Sequence, residues 1–193
     1  MSATKLVCRT ERLVIRGLKP EDTEWIYSTI SCDPDVMRHL EGEPLSRKAH
    51  DRFFRWLYRD QQQAFGTTFW AVERSTTNEP LGLCGLVIVD EPDSTVLGSL
   101  EIGWRFARKC WGEGYATEAA TACLWQAFED RRTLRVVSRT VSENKSSLRV
   151  MEKLQMRRDD RLDYITRGAS SPFIMHVLTY ADWKQVTLDD TRT

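Results

Sequence analysis

The 193-residue sequence predicts a mixed α/β (α+β) domain built on a largely antiparallel sheet. Three observations carry that prediction. Apolar-rich segments at about 68–74, 81–90 and 96–106 are joined by the short turns STTNEP and EPDS, which is a three-strand meander. After it, the stretch WRFARKCWGEGYATEAATACLWQAF (104–128) sets Ala116, Ala119, Ala120, Cys123, Leu124, Ala127 and Phe128 on one helical face. A 41% hydrophobic content over this length is enough for one core and one domain, 1–193, with a loose tail from about residue 188.

The elements follow in order. TERLVIRGL (10–18) reads as a strand. Pro20, with Glu21, Asp22 and Glu24 behind it, opens a helix over about 20–30. Asp33-Pro34 opens a short helix, and Ser46 caps a longer one whose stripe is Ala49, Phe53, Trp56 and Leu57. The meander and the long helix come next. RVVSRTV (135–141) is a short strand, NKSSLRVMEKL a helix capped near Asn144, and strands over about 161–167 and 173–181, parted by the turn GASSP, close the chain. The sum is a twisted sheet of about seven strands flanked by about four helices, with no repeat and no linker.

Composition excludes several functions. Lys plus Arg equals Asp plus Glu at 28 each, so no overall charge favours nucleic acid or a membrane surface. Five scattered cysteines (8, 32, 84, 110, 123) without a CxxC pair indicate neither a disulfide framework nor zinc, and His39, His50 and His176 make no metal spacing. No segment reads as a signal peptide or membrane span, so the expectation is a soluble, cytoplasmic protein, monomer or homodimer.

The chemistry is concentrated in the stretch already noted. Gly112 and Gly114 allow a tight turn and close backbone approach, and the first amides of the following helix have no intrahelical acceptors. Such a turn fits either a purely structural connection or an anion site at a positive dipole end.

Three segments, in order on the predicted elements, carry a resemblance. TERLVIRGLKPED, EIGW followed by WGEGYATEA, and ENKSSLRVMEKL together resemble the GNAT superfamily of acetyl-coenzyme A-dependent N-acetyltransferases. They look more specifically like its RimJ/RimL branch, whose members acetylate protein N-terminal amines, those of ribosomal proteins included. The resemblance implies a sheet splayed between its fourth and fifth strands. The superfamily's turn signature, Gln/Arg-x-x-Gly-x-Gly/Ala, maps onto Trp111-Gly112-Glu113-Gly114-Tyr115-Ala116, with Trp111 in the Gln/Arg place. It implies that amides from about Gly112 to Thr117 bind the pyrophosphate of coenzyme A. It also implies that the pantetheine arm lies where the strand ending near Phe106 parts from the strand at 135–141. There, amides near Trp104, Arg105 and Phe106 bond the arm and the thioester carbonyl.

Asn144 and Ser147 match the branch's Asn-x-x-Ser, whose Asn holds the pantetheine arm; read alone, Asn144 is a helix cap and Ser147 a first-turn residue. Many members carry a proton-donating tyrosine four residues past that Ser. Here the residue is Met151, which leaves Ser147 as the nearest replacement acid. Glu101, on the strand before the splay, fits a general base acting directly or through water, and fits equally an ion pair with an arginine such as Arg105. In KLQM (153–156), Gln155 replaces the family's glycine, at a cost of about 1 kcal/mol if the site needs positive φ. Arg108, Lys109, Lys145, Arg149 and Lys153 are candidate phosphate contacts or solvated charges, and Trp25, Trp56 and Trp70 are core residues or an acceptor groove.

The expected function is direct acetyl transfer from acetyl-coenzyme A to a primary amine, the N-terminal α-amine of a protein such as a ribosomal protein. An enzyme of the same fold acting on a polyamine, amino acid or aminoglycoside is one alternative. A coenzyme A-binding regulatory module without catalysis is another.

Overall fold

The computed structural model describes residues 6–40, 42–165 and 171–190. Its centre is an eight-stranded sheet in the order β1-β2-β3-β4-β5-β6-β8-β7. The strands are β1 Leu6–Arg9, β2 Leu13–Arg16, β3 Phe69–Arg74, β4 Pro80–Ile88, β5 Leu100–Phe106, β6 Arg135–Thr140, β7 Arg157–Arg158 and β8 Ile174–Thr179. Every pairing is antiparallel except β5 with β6, which is parallel. The mixed, largely antiparallel class read from the sequence is therefore the observed one.

Both faces of the sheet are covered, which explains why β3 and β4 read as nearly continuous apolar runs. On one face Trp70, Val72, Cys84, Leu86, Ile102 and Phe106 pack against Ala119, Ala120, Cys123 and Leu124 of α4 (Tyr115–Trp125). On the other, Phe69, Ala71, Leu83 and Val87 meet Ile26 of α1 (Asp22–Ile26), Val36 of α2 (Pro34–Met37) and Leu57, in the π-helical turns that continue α3 (Arg47–Arg55). Capping follows the sequence: Asp33 accepts from the amides of Asp35 and Val36, and Ser46 from that of Ala49.

The details depart from expectation in four places. The first strand is a hairpin, β1 and β2, rather than one strand over 10–18. The third strand of the meander begins at Leu100, not 96, because Ser94–Ser99 forms a turn with Gly98 at φ 78°. No strand spans 161–165; that stretch holds the end of a 3-10 turn, Asp160–Leu162, and a lone bridge from Tyr164 to Phe173, while 166 and 167 lie outside the described residues. The closing strand stops at Thr179 and gives way to α6 (Tyr180–Asp190), so 188–190 is helical and only 191–193 of the expected tail lies outside the described residues. Thr179, whose hydroxyl accepts from the Asp182 amide at 3.2 Å, is the capping signal that marks this turn into helix. Among the described residues there are thus eight strands and six α-helices, the sixth being α5 (Lys145–Lys153).

Candidate functional site

The parallel pair β5–β6 positions the site because it opens. Its ladder contains the single register pair Glu101↔Val137, and the Ser138 hydroxyl then donates to the Ile102 carbonyl at 2.9 Å where strand pairing ends. On the other edge of β5, the Ala107 amide donates to Leu81 O at 2.9 Å. Antiparallel alternation therefore turns the peptide groups of Glu101, Gly103 and Arg105 toward β4 and those of Ile102, Trp104 and Phe106 toward the opening. The Phe106 carbonyl is taken by the Trp111 indole N–H at 2.8 Å. The Trp104 peptide and the Phe106 amide face the gap.

That gap is a cleft of about 540 Å³. Trp104, Arg105, Phe106, Trp111, Gly112, Gly114, Tyr115, Ala116 and Thr117 line one side, and Asn144, Ser147, Arg149 and Lys153 line the other. Gly112 and Gly114 sit at φ 83° and 81°, the left-handed region that a side chain resists. Gly114 is also the N-cap of α4 and offers no side-chain acceptor, so the first amides of α4 stay available on the cleft side. α5 begins differently: the Asn144 side-chain oxygen accepts from the Ser147 amide at 3.2 Å. Its carboxamide NH₂ remains free to donate into the cleft.

Of the predicted catalytic and turn residues, Glu113 and Glu101 do not line the cleft. Glu113 turns its carbonyl away, to Arg12 Nη1 at 3.0 Å. Glu101 is buried, with its carboxylate 3.3 Å from Arg139 Nε. Arg139 is clamped in turn by both oxygens of Glu91 and by the Tyr164 hydroxyl. Burial pushes the Glu101 carboxyl above its ordinary value, with Arg139 opposing. Arg139 makes the close contact with Glu101, and Arg105, whose guanidinium stacks 4.4 Å over the Phe53 ring, adds a second favourable charge. Glu101 is itself in the ladder pair with Val137, and Arg139 lies two residues past Val137 on the same face of the neighbouring strand, a long-range register that no local pattern announces.

Met151 is core, 1% exposed, so the usual tyrosine position holds no acid. Of the basic candidates, Arg149 and Lys153 line the cleft; Arg108 pairs with Asp35, Lys109 with Glu79, and Lys145 donates to Ser142 O. Trp25 and Trp56 donate to Asp22 and Asp90, Trp70 is core, and none of the three lines the cleft. His50 is held between Ser31 and Thr23, and the described residues contain no metal-holding cluster. Sequence reading gave the 35–40 stretch no part in holding the cofactor, yet Asp35, Val36, Arg38, His39 and Leu40 line the cleft. The Asp33-Pro34 helix start was visible, but the pair from Asp35 to Arg108 that carries it to the cleft joins residues far apart in the chain.

Comparison with known proteins agrees with this geometry. The chain is 42% identical over 150 residues to an uncharacterized N-acetyltransferase, YnaD, of Bacillus subtilis, covering 78% of this chain and 82% of the relative. Its fold matches the crystal structure of an acetyltransferase from Agrobacterium tumefaciens str. C58 with TM-score 0.74 at 24% identity, over 92% of this chain and 95% of the other. It also matches a spermidine N-acetyltransferase from Vibrio cholerae, solved with CoA and spermine, with TM-score 0.69 at 14% identity, over 91% and 99%. The acetyltransferase (GNAT) domain model covers residues 12–157, and the chain belongs to that family, an N-acetyltransferase that uses acetyl-coenzyme A.

Proposed function

We propose that this enzyme acetylates the N-terminal α-amine of a protein, a ribosomal protein being the model acceptor, by direct transfer with both substrates bound together. The observation that carries the cofactor half is the uncapped start of α4 beside the open edge of β5. The acceptor half rests on the RimJ/RimL-like segments TERLVIRGLKPED, WGEGYATEA and ENKSSLRVMEKL.

The residues present fit coenzyme A. A helix start without a side-chain cap, two left-handed glycines, a free carboxamide and cationic side chains that include Arg149 and Lys153 share one cleft. The bound cofactor supplies acetyl activated as a thioester. Amides from Gly112 to Thr117 hold its pyrophosphate, Arg149 and Lys153 add positive charge, and the Asn144 carboxamide donates to the pantetheine arm. The Trp104 peptide and the Phe106 amide fix the arm and donate to the thioester oxygen, where negative charge grows during transfer. Ser147 stands on the cleft wall to donate to the departing sulfur. Glu101 takes the acceptor's proton through water, since its carboxylate lies behind the cleft lining, and its raised proton affinity favours that task.

The test is thiol release from acetyl-coenzyme A with purified protein and a panel of N-terminal peptides, polyamines, amino acids and aminoglycosides. The expected result is turnover with a subset of the peptides at lower KM than with any small amine. Turnover confined to small amines moves the acceptor to that class. Cofactor binding without thiol release for any acceptor leaves a regulatory module.

A further inference from the structure

The arginine of the chain's first motif, TERL, has no part in the chemistry above, yet it reaches the proposed phosphate turn from behind. Two features at the start of α4 work against an anion. Glu118 places a carboxylate in the first turn of α4, where the helix dipole would otherwise favour a phosphate. In addition, a turn with two left-handed glycines has little steric reason to keep its peptides in one orientation, and a carbonyl swung into the cleft would repel phosphate oxygens.

Arg12 meets both. Its Nε donates to Glu118 Oε2 at 2.7 Å, its Nη2 lies 2.6 Å from the same oxygen, and its backbone amide donates to Glu118 Oε1 at 3.1 Å. The Thr10 hydroxyl binds that carboxylate too. The remaining arm, Nη1, donates to the Glu113 carbonyl at 3.0 Å and so draws it to the rear of the turn. The guanidinium also lies 4.7 Å over the ring of Tyr115, the first residue of α4, and the Tyr115 hydroxyl accepts from Arg74 at 2.5 Å. None of Thr10, Arg12, Glu113 or Glu118 lines the cleft. Arg12 therefore acts on the turn and not on the ligand.

We propose that Arg12 is a positioning residue for coenzyme A: it neutralises Glu118 and pins the Glu113 carbonyl backward so that the amides of 112–117 face the pyrophosphate. The inference rests on the reading that this turn holds that group. Ion pairing on so exposed an arginine contributes little to stability, so the effect belongs to binding.

The test compares acetyl-coenzyme A with S-acetylpantetheine, the same thioester without the diphosphate and nucleotide. Arg12→Met is expected to weaken calorimetric binding of coenzyme A about tenfold. It should lower the ratio of kcat/KM for acetyl-coenzyme A over S-acetylpantetheine by the same factor, and that ratio does not depend on the fraction of protein folded. Adding Glu118→Gln should restore part of both, because the uncompensated carboxylate is gone while the Glu113 carbonyl stays unpinned. An unchanged ratio in Arg12→Met, or no recovery in the double variant, overturns the proposal. Gly114→Glu in the same titration separates the two readings. If it leaves coenzyme A affinity intact, the assignment of the turn fails; if it abolishes binding while Arg12→Met leaves affinity unchanged, only the role of Arg12 fails.

Discussion

The start of α4 and the cluster around Glu101 belong to opposite faces of β5 and treat their polar groups in opposite ways. At α4 the cap is a glycine without a side-chain acceptor, and the polar side chains that approach, Arg12 and Thr10, engage Glu118 and the rear of the turn. Backbone donors are left facing a cleft. Around Glu101 the protein answers charge with charge: Arg139 bridges Glu101 and Glu91 and also meets Tyr164 and the face of Phe173 at 4.8 Å. The first arrangement suits an anion. The second is satisfied internally and favours no particular acceptor.

The largest effect expected from breaking this contrast comes at Gly114. Gly114→Glu forces a side chain into φ 81° and adds a carboxylate beside the proposed pyrophosphate site. Calorimetry should show coenzyme A affinity falling by at least about a hundredfold, to the edge of detection. Asn144→Ala at the capped helix start should cost about 1 kcal/mol of stability and a smaller, roughly tenfold share of affinity. If the alanine at Asn144 hurts binding more than the glutamate at Gly114, α5 and not α4 is the principal holder of the cofactor.

At the satisfied side of β5 the expected effect is next in size and appears as pH dependence. Glu101 is harder to ionise in the folded protein than its ordinary value of 4.5. As a base it works only ionised, so kcat/KM should rise with pH along an acid limb set above that value. Glu101→Gln should remove the limb and lower the plateau by about a hundredfold or more. Stability has the opposite sign. Because the folded carboxyl keeps its proton longer than the unfolded one, ionisation costs stability as pH rises from 4.5 through the raised folded value. The melting temperature of Glu101→Gln relative to the parent should therefore increase with pH across that window. A variant that keeps the acid limb and the full plateau assigns Glu101 to the ion pair alone.

What was legible in the sequence divides along the same line. Local backbone chemistry could be read directly: the caps Asp33, Ser46 and Asn144, the two left-handed glycines before α4, and the buried face of α4 and its continuation from Ala119 to Phe128. Each depends on residues within a turn or two of one another. The cleft lining from the 35–40 stretch, the partner of Glu101 and the brace by Arg12 join residues separated by a long stretch of chain, and sequence spacing carries no signal for them. The closing helix α6 was missed for a milder reason. The alternating run through Leu178 hides the capping threonine that follows it.

The smallest expected effect lies just past α5, where the sequence puts Gln in the family's glycine place. The helix ends in a Schellman motif: the Met156 amide donates to Met151 O at 3.0 Å and the Gln155 amide to Glu152 O at 2.9 Å. That motif requires the left-handed region at its turning residue, and Gln155 is held there at φ 56°. Glycine would remove the clash of Cβ with its own backbone but would loosen the unfolded chain, so the two terms partly offset. Gln155→Gly should gain about 0.5–1 kcal/mol, seen as a rise in melting temperature of about 2 °C for a chain of this size. Because Gln155 does not line the cleft, coenzyme A affinity should stay the same. A gain in stability accompanied by weaker cofactor binding would mean that the strained turn helps to set Asn144 and Ser147 at the other end of α5.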